Sequence, residues 1–287
     1  MKISGFTIIR NAVKFDYPIV QAIQSILPLC DEMIVCIGNS EDGTSELIRS
    51  IPSDKIRMIP TVWDDSLREG GKVLAVETDK AFDAVAKDSD WAFYIQGDEV
   101  IHEKYHPGIL EAMEKYKDRP EVEGLLFNYE HFYGNYHYIG DSRTWYRNEI
   151  RIIRNDKQIR AYRDAQGFRK NGRKLRVKPL EAWVYHYGWV KNPYFQSAKR
   201  ESFLKMYNPD EKVTLHADQM FDYSVVDSLR LFKGTHPEVM KERIGSMDWN
   251  FEFDLKKKHF NLRYGFLYWF EKLTGKRLFE YKNYDII

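Results

Sequence analysis

The chain has 287 residues, long enough for one large domain or for one domain with an appendage of roughly 70 residues, and too long for a small stapled scaffold. Lys plus Arg total 44 against 43 for Asp plus Glu, so bulk charge draws the protein neither to nucleic acid nor to an anionic membrane, and any charged partner must be met by a local patch. Aromatic residues reach 15%, which suits flat contacts with sugar rings and bases, or a core rich in Tyr.

The amino terminus, MKISGFTIIRN, carries an apolar run too short for a secretory signal, and no stretch approaches the ~18 apolar residues that span a bilayer, so a cytoplasmic protein is expected. Ile3 to Ile9 reads as the first strand. Asp16 and Pro18 open a helix through Ile26, Asp as the cap and Pro in the first turn, where its missing N–H is harmless. Met33 to Ile37 is the second strand. Cys30 and Cys36, before and within it, lack zinc or redox spacing and are expected to be reduced packing residues. The loop GNSEDGTSELIRS leads into a helix near Thr44. Ile56 to Ile59 forms a third strand stopped by Pro60, GGKVLAVETDKAFDAVA a third helix, and Trp91 to Ile95 a fourth strand. This alternation predicts a parallel sheet with helices on both faces, as in a nucleotide-binding half-domain.

Beyond Pro107 the pattern changes. GLLFNYEHFYG, EIRIIRND and AWVYHYGWV read as strands between long connections, an antiparallel or mixed extension of the sheet. From Pro193 the reading is mainly helical: PYFQSAKRESFLKMY, FDYSVVDSLRLF, HPEVMKERI and the aromatic-rich YGFLYWF. No repeat or Ser/Gly-rich hinge marks a boundary. The division is placed near residue 215, giving an α/β domain over 1–215 and a helical carboxyl-terminal extension over 216–287.

The fourth strand, in WAFYIQGDEVI, ends in the adjacent carboxylates Asp98 and Glu99. Open α/β sheets bind ligands beyond the carboxyl ends of their strands, so a metal or nucleotide site is one reading. The other is that Asp98 caps a turn and Glu99 is solvated. In VYHYGW, strand alternation sets His186 opposite Tyr185 and Tyr187, with Trp183 and Trp189 on the tyrosine side.

Three stretches together resemble the family 2 glycosyltransferases. In FTIIRNAVKFDYPIVQAIQSILPLCDEMIVCIGNSEDGT an opening strand ends in Asn11, and the second strand leads into the turn Ser40, Glu41, Asp42, Gly43, Thr44. YIQGDEVI stands where that family carries Asp-x-Asp, and VYHYGW where it often carries a metal-binding His. The likeness covers residues 1 to 130 well and 145 to 205 more loosely. It implies a GT-A fold, with a mixed, mostly parallel central sheet flanked by helices. It implies transfer of a sugar from a nucleotide-diphosphate-sugar donor to a glycan or lipid-linked acceptor, inverting and assisted by Mn2+ or Mg2+, in surface-glycan assembly. It assigns donor binding to Asn11, Asn39, Asp42, Gln96 and Asp98, and the metal to Asp98 and His186. Asp164, in AYRDAQGFRKNG, is the candidate base, with Glu99 and Glu130 as rivals; a turn residue and a core His are the plain readings of Asp164 and His186.

The sequence departs from the family pattern in two places. Gln96 stands at the first Asp of Asp-x-Asp and can only hydrogen-bond. The acid that commonly meets the base is replaced by Ile37 and Gly38, leaving Asn39. A catalytically degenerate sugar- or nucleotide-binding module is therefore an alternative. A nucleotidyltransferase is another, although RNAVKFDYP lacks the expected glycines.

The run from Arg154 to Lys178, with ten Lys or Arg, is either a solvated face or a phosphate clamp; no groove-reading motif suggests nucleic acid. FNLRYGFLYWFEKLTGKRLFEY lies on a membrane's inner surface, packs on its own domain, or meets a second subunit.

Overall fold

The computed structural model describes residues 1–67, 69–207 and 220–287, so the division expected near residue 215 lies outside the described residues. Strand β1 (Ile3–Ile9) is buried along its length. Its alternation sends Ile3 and Ile9 to one face and Phe6 and Ile8 to the other. The first face packs on helix α1 (Ile19–Ile26) through Ile19, Ala22, Ile23 and Ile26, and the second on helix α3 (Lys72–Asp83) through Val73, Ala81 and Phe82. Strand β2 (Glu32–Ile37) pairs with β1 in parallel and with β3 (Ile56–Pro60) in parallel; β4 (Trp91–Tyr94) flanks β1 on its other side, again in parallel. Pro60 is tolerated inside β3 because β3 is an edge strand. Helix α2 (Thr44–Arg49) follows β2. Both cysteines are buried and free.

Asp16 does not cap α1. It sits at φ 49° and pairs with Arg243 (Nη2 to Oδ1, 2.6 Å), while the helix starts after Pro18 with no side-chain cap.

The remaining elements are β5 (Glu99–Ile101), α4 (His106–Tyr116), β6 (Gly124–Tyr133), β7 (Asn135–Gly140), β8 (Asn148–Arg154), β9 (Ile159–Tyr162), β10 (Gly167–Lys170), β11 (Arg173–Trp189), α5 (Pro193–Tyr207), β12 (Leu229–Leu231), α6 (Lys241–Gly245), α7 (Leu262–Thr274) and β13 (Tyr284–Ile286). One mixed sheet runs β3-β2-β1-β4-β8-β6-β11-β10-β9, parallel through its first four members. Beyond them β8 is antiparallel to β4 and β6, and β11 is parallel to β6. The expected helix over FDYSVVDSLRLF is absent. Tyr223, Val226 and Leu229 instead pack with Tyr133, and Leu229–Leu231 pairs with β7. Tertiary burial has overridden a weak local preference there. The carboxyl-terminal β13 joins β11, so both ends of residues 220–287 are tied into the sheet.

Glu149 of β8 is buried under this sheet. Burial, with Glu99 nearby, pushes its carboxyl up to about 7 against the opposing pull of Arg151, and its Oε2 has no hydrogen-bond partner among the described residues. The unfolded chain therefore releases this proton near 4.5 while the folded chain holds it to about 7. Stability falls as pH rises through that window, because the folded state binds more protons. Glu149→Gln is expected to raise the melting temperature at pH 8, with the gain shrinking toward pH 5; a gain independent of pH would show that Glu149 does not titrate there.

Candidate functional site

A cleft of about 760 Å3 opens at the carboxyl ends of β1 and β4. These two strands flank the point where the strand order reverses, the usual ligand crevice of an open α/β sheet. Asn11, Gln96, Asp98, Asp164 and His186 all line it. The long strand β11 makes this possible: it pairs with β5, setting His186 opposite Glu99, and with β6, setting His186 opposite His131. Tyr185 and Tyr187 pack away from the cleft with Val100, Phe132 and Tyr136. Trp189, expected on their side, lines the cleft instead, because the register shifts after His186.

Asp98 and His186 meet, with Oδ1 and Nε2 3.6 Å apart. The network assigns the imidazole protons. His131 Nε2 lies 2.8 Å from the Tyr146 carbonyl, which only accepts, so that nitrogen carries the proton. Burial holds His131 well below its ordinary pKa, and its bare Nδ1 accepts from His186 Nδ1–H at 3.1 Å. Burial also lowers His186, against the pull of Asp98. The lone pair of His186 Nε2 thus faces a carboxylate oxygen across a gap suited to a cation. Burial works to raise the Asp98 pKa, but the Lys199 ammonium outweighs it and holds the carboxyl well below the usual range.

Lys199, from α5, and Arg151, from β8, carry no signal that singles them out in the sequence. Lys199 Nζ lies 2.9 Å from Asp98 Oδ2 and donates to the Gly188 carbonyl at 2.9 Å. Gln196 and Lys199 are the buried residues of α5, and the only signal in the sequence is a helix without an apolar stripe. Wholly buried Lys191 donates to the carbonyls of Phe15 and Asp16; burial and Lys199 push its pKa well down. Gly188 has no substitute here, since a Cβ would stand 2.7 Å from both Asp98 Oδ2 and His186 Nε2.

Glu99 does not face the cleft. It is wholly buried, and its two oxygens receive Arg151 Nε and Nη2, each at 2.7 Å, with the Tyr129 hydroxyl at 2.8 Å and the Gln96 amide N–H at 3.1 Å. A carboxylate so engaged cannot take a proton from a substrate. Arg151 also donates to the Gln166 carbonyl, and Gln96 Nε2 to the Ala165 carbonyl. Both therefore hold the loop carrying Asp164, where Arg163 and Ala165 adopt φ of 58° and 60°, a strained conformation for residues with a side chain. The Tyr207 hydroxyl donates to Asp164 Oδ2 at 2.9 Å.

Asn39 and Asp42 lie off the cleft lining. Asn39 Oδ1 accepts from the Trp63 N–H, and any side chain at Gly38 would meet the Trp63 indole at 2.4 Å. Asp42 accepts from Thr44 and from the Lys14 N–H, and Asn11 Oδ1 from the Glu41 N–H; the turn motif latches the two loops together. Glu130 pairs with Arg230. None of the cations of the Arg154–Lys178 run lines the cleft: Arg154 donates to carbonyls, and Arg160 and Arg173 pair with Asp83 and Glu123. Among the described residues the cations of the lining are Arg10, Lys14, Lys199, Arg200 and Lys205, of which Arg10 pairs with Asp65, Lys199 with Asp98 and Lys205 with Glu201, acids of the same lining.

Among the described residues no group of three or more His, Cys, Asp or Glu is gathered for a metal. Asp98 Oδ1 and His186 Nε2, 3.6 Å apart, are the pair that could hold a divalent ion.

No family model matches the sequence, and no curated protein matches it. Among solved structures, the chain is similar to TarS 1–349 of S. aureus, at 12% identity over 73% of this chain and 66% of that one, with a TM-score of 0.39. It is similar to 4-diphosphocytidyl-2C-methyl-D-erythritol synthase from Anaerococcus prevotii at 11% identity, over 54% of this chain and 71% of that one, with a TM-score of 0.34. A third is glucosyl-3-phosphoglycerate synthase from Mycobacterium tuberculosis, in complex with Mn2+, UDP and phosphoglyceric acid, at 23% identity over 46% and 43% of the two chains, with a TM-score of 0.29.

Arg151→Met leaves the Glu99 carboxylate buried without its partner, and unfolding in urea should show a loss of about 3–5 kcal/mol. Adding Glu99→Gln to that variant should recover part of the loss. An Arg151→Met protein as stable as the parent would show that the pair does not hold the site.

Proposed function

We propose that the chain transfers a sugar from a nucleotide-diphosphate-sugar donor to an acceptor hydroxyl, with inversion. The observation that carries this reading is the meeting of Asp98, His186 and Asp164 on one cleft at the carboxyl ends of β1 and β4, lined by cations from the amino-terminal loop and α5. That arrangement suits a polyanionic ligand with a reacting centre beside it.

In this reading Arg10, Lys14 and Arg200 draw in the diphosphate, and Lys199 holds Asp98 ionised. A Mn2+ or Mg2+ ion held by Asp98 and His186 would neutralise charge developing on the departing diphosphate. The acceptor hydroxyl attacks the anomeric carbon; its oxygen forms the new glycosidic bond as the bond to the diphosphate breaks. Asp164 takes the hydroxyl proton, and the Tyr207 hydroxyl keeps its carboxylate in place. One displacement inverts the anomeric centre. The acceptor is a glycan or a lipid-linked sugar of surface-glycan assembly.

Lys199 favours a second reading. An ammonium already 2.9 Å from Asp98 fills part of a cation's role, in a transferase independent of metal or in a module that binds the nucleotide without turnover.

Thermal shift with a panel of nucleoside diphosphates, with and without Mn2+, separates these. The proposal expects stabilisation that grows with Mn2+ in the parent and loses its metal dependence in Asp98→Ala. With the sugar nucleotide that binds, Asp164→Asn should keep the thermal shift and lower kcat about 100-fold or more. Binding indifferent to Mn2+ transfers the cation's role to Lys199, and binding without turnover favours the degenerate module. No stabilisation by any nucleotide overturns the proposal.

A further inference from the structure

Helix α7 is amphipathic in the reverse of the usual sense. It is held to the body of the protein through polar groups: Arg143 Nη1 donates to Glu271 at 2.9 Å, the Tyr268 hydroxyl to Asp141 at 2.7 Å, and Lys272 Nζ to Asp141 at 2.5 Å. Its buried residues are Leu267 and Tyr268. Leu262, Phe266, Trp269 and Leu273 recur at the spacing of a single helical stripe, yet they are 96%, 66%, 58% and 85% exposed. Past the Gly275 cap, Phe279 is 85% exposed as well. An apolar row of this length on a surface marks a docking face.

Within the segment from Lys256 to Lys282 the exposed charges are of one sign, with exposed Glu252, Asp254 and Asp285 beyond its ends. The exposed charged residues between Lys256 and Lys282 are Lys256, Lys257, Arg263, Lys272, Lys276 and Lys282. The acids of that stretch, Glu271 and Glu280, are partly buried and paired with Arg143, Arg147 and Arg277. A second copy of the chain is a poor occupant, because a two-fold contact would set these cations against themselves. No helix among the described residues is long and apolar enough to cross a membrane.

We propose that α7 lies in the surface of an anionic lipid bilayer, with Leu262, Phe266, Trp269, Leu273 and Phe279 among the upper acyl chains and Lys256, Lys257, Arg263, Lys276 and Lys282 against lipid phosphates. Trp269, on the exposed stripe, suits the interface between the two. The anchored side of this segment, not its apolar face, reaches toward the cleft: Arg277 donates to the Trp145 carbonyl, and the adjacent Tyr146 is in the cleft lining. The bilayer contact does not rest on the transfer reading.

Sedimentation of the full chain with vesicles tests it. Binding is expected to vesicles of phosphatidylcholine with phosphatidylglycerol, not to phosphatidylcholine alone, and to weaken in high salt. The Phe266→Ser/Trp269→Ser variant and the Arg263→Glu/Lys276→Glu variant should each lose about tenfold or more in partitioning, with the far-UV circular dichroism and melting temperature of the parent retained. Absence of binding to either vesicle, or equal binding to both, overturns the proposal. So does a concentration-dependent dimer in sedimentation velocity that Phe266→Ser/Trp269→Ser abolishes, which would make a second copy the occupant. None of these outcomes bears on nucleotide binding, so the membrane contact and the transfer reading fail separately.

Discussion

The ion pair between Glu99 and Arg151 is the constraint around which the site is arranged. Both side chains are wholly buried, two hydrogen bonds of 2.7 Å join them, and the guanidinium lies 5.4 Å from the ring centres of Tyr94 and of Tyr129. Their desolvation is unfavourable and is offset only because nearly every polar atom finds a partner. Those partners fix geometry at a distance. Gln96 N–H holds the turn that aims Asp98, while the carbonyls of Ile150 and Gln166 fix the strand β8 and the loop that presents Asp164. A hydrophobic pair of the same volume would pack as well, but it would specify neither the turn nor the loop.

The amino-terminal half was largely legible in the sequence because its strands are apolar runs bounded by Gly, Pro or Asp, with helices patterned at a different period. β1 lies where expected, and β2, β3 and β4 differ only at an end residue. The later half was less legible for a physical reason. β9 and β10 are a short hairpin rich in Arg and Lys, with no clean alternation. β5, β12 and β13 have three residues each and exist only because β11 or β7 offers an edge. Sheet pairing between distant segments leaves little trace in local composition.

The same distinction runs through the site. Asp98 and His186 stood out because a charged or titratable side chain interrupts an aromatic strand. Arg151 did not, since one Arg in EIRIIRND resembles its neighbour Arg154, and only the partner across the sheet distinguishes a buried guanidinium from one that caps a helix end. Asp42 sits in a recognisable motif, yet the hydrogen bonds of Asp42 and Asn11 serve the latch between the first two loops. Lys199 could not be singled out, because a lysine on a polar helix has no signature until the fold places it against a carboxylate.

Lys199 also sets the chemistry that the cleft can support. With the ammonium on one oxygen of Asp98 and the bare nitrogen of His186 facing the other, the carboxylate is divided between a fixed cation and an open position. A divalent ion arriving with a diphosphate would be repelled by Lys199 and attracted by Asp98, and the sum is favourable only if the phosphates themselves absorb the ammonium's charge. On the transfer reading, metal and nucleotide should therefore bind together more readily than either alone. The tautomer fixed by His131 and the Tyr146 carbonyl matters for the same reason. An imidazole whose Nε2 carried the proton would donate to Asp98 and close the position, whereas the relay through His131 keeps a lone pair directed into the gap. The electrostatics of the site thus depend on two residues outside the recognisable motif, one cation on α5 and one neutral imidazole on β6.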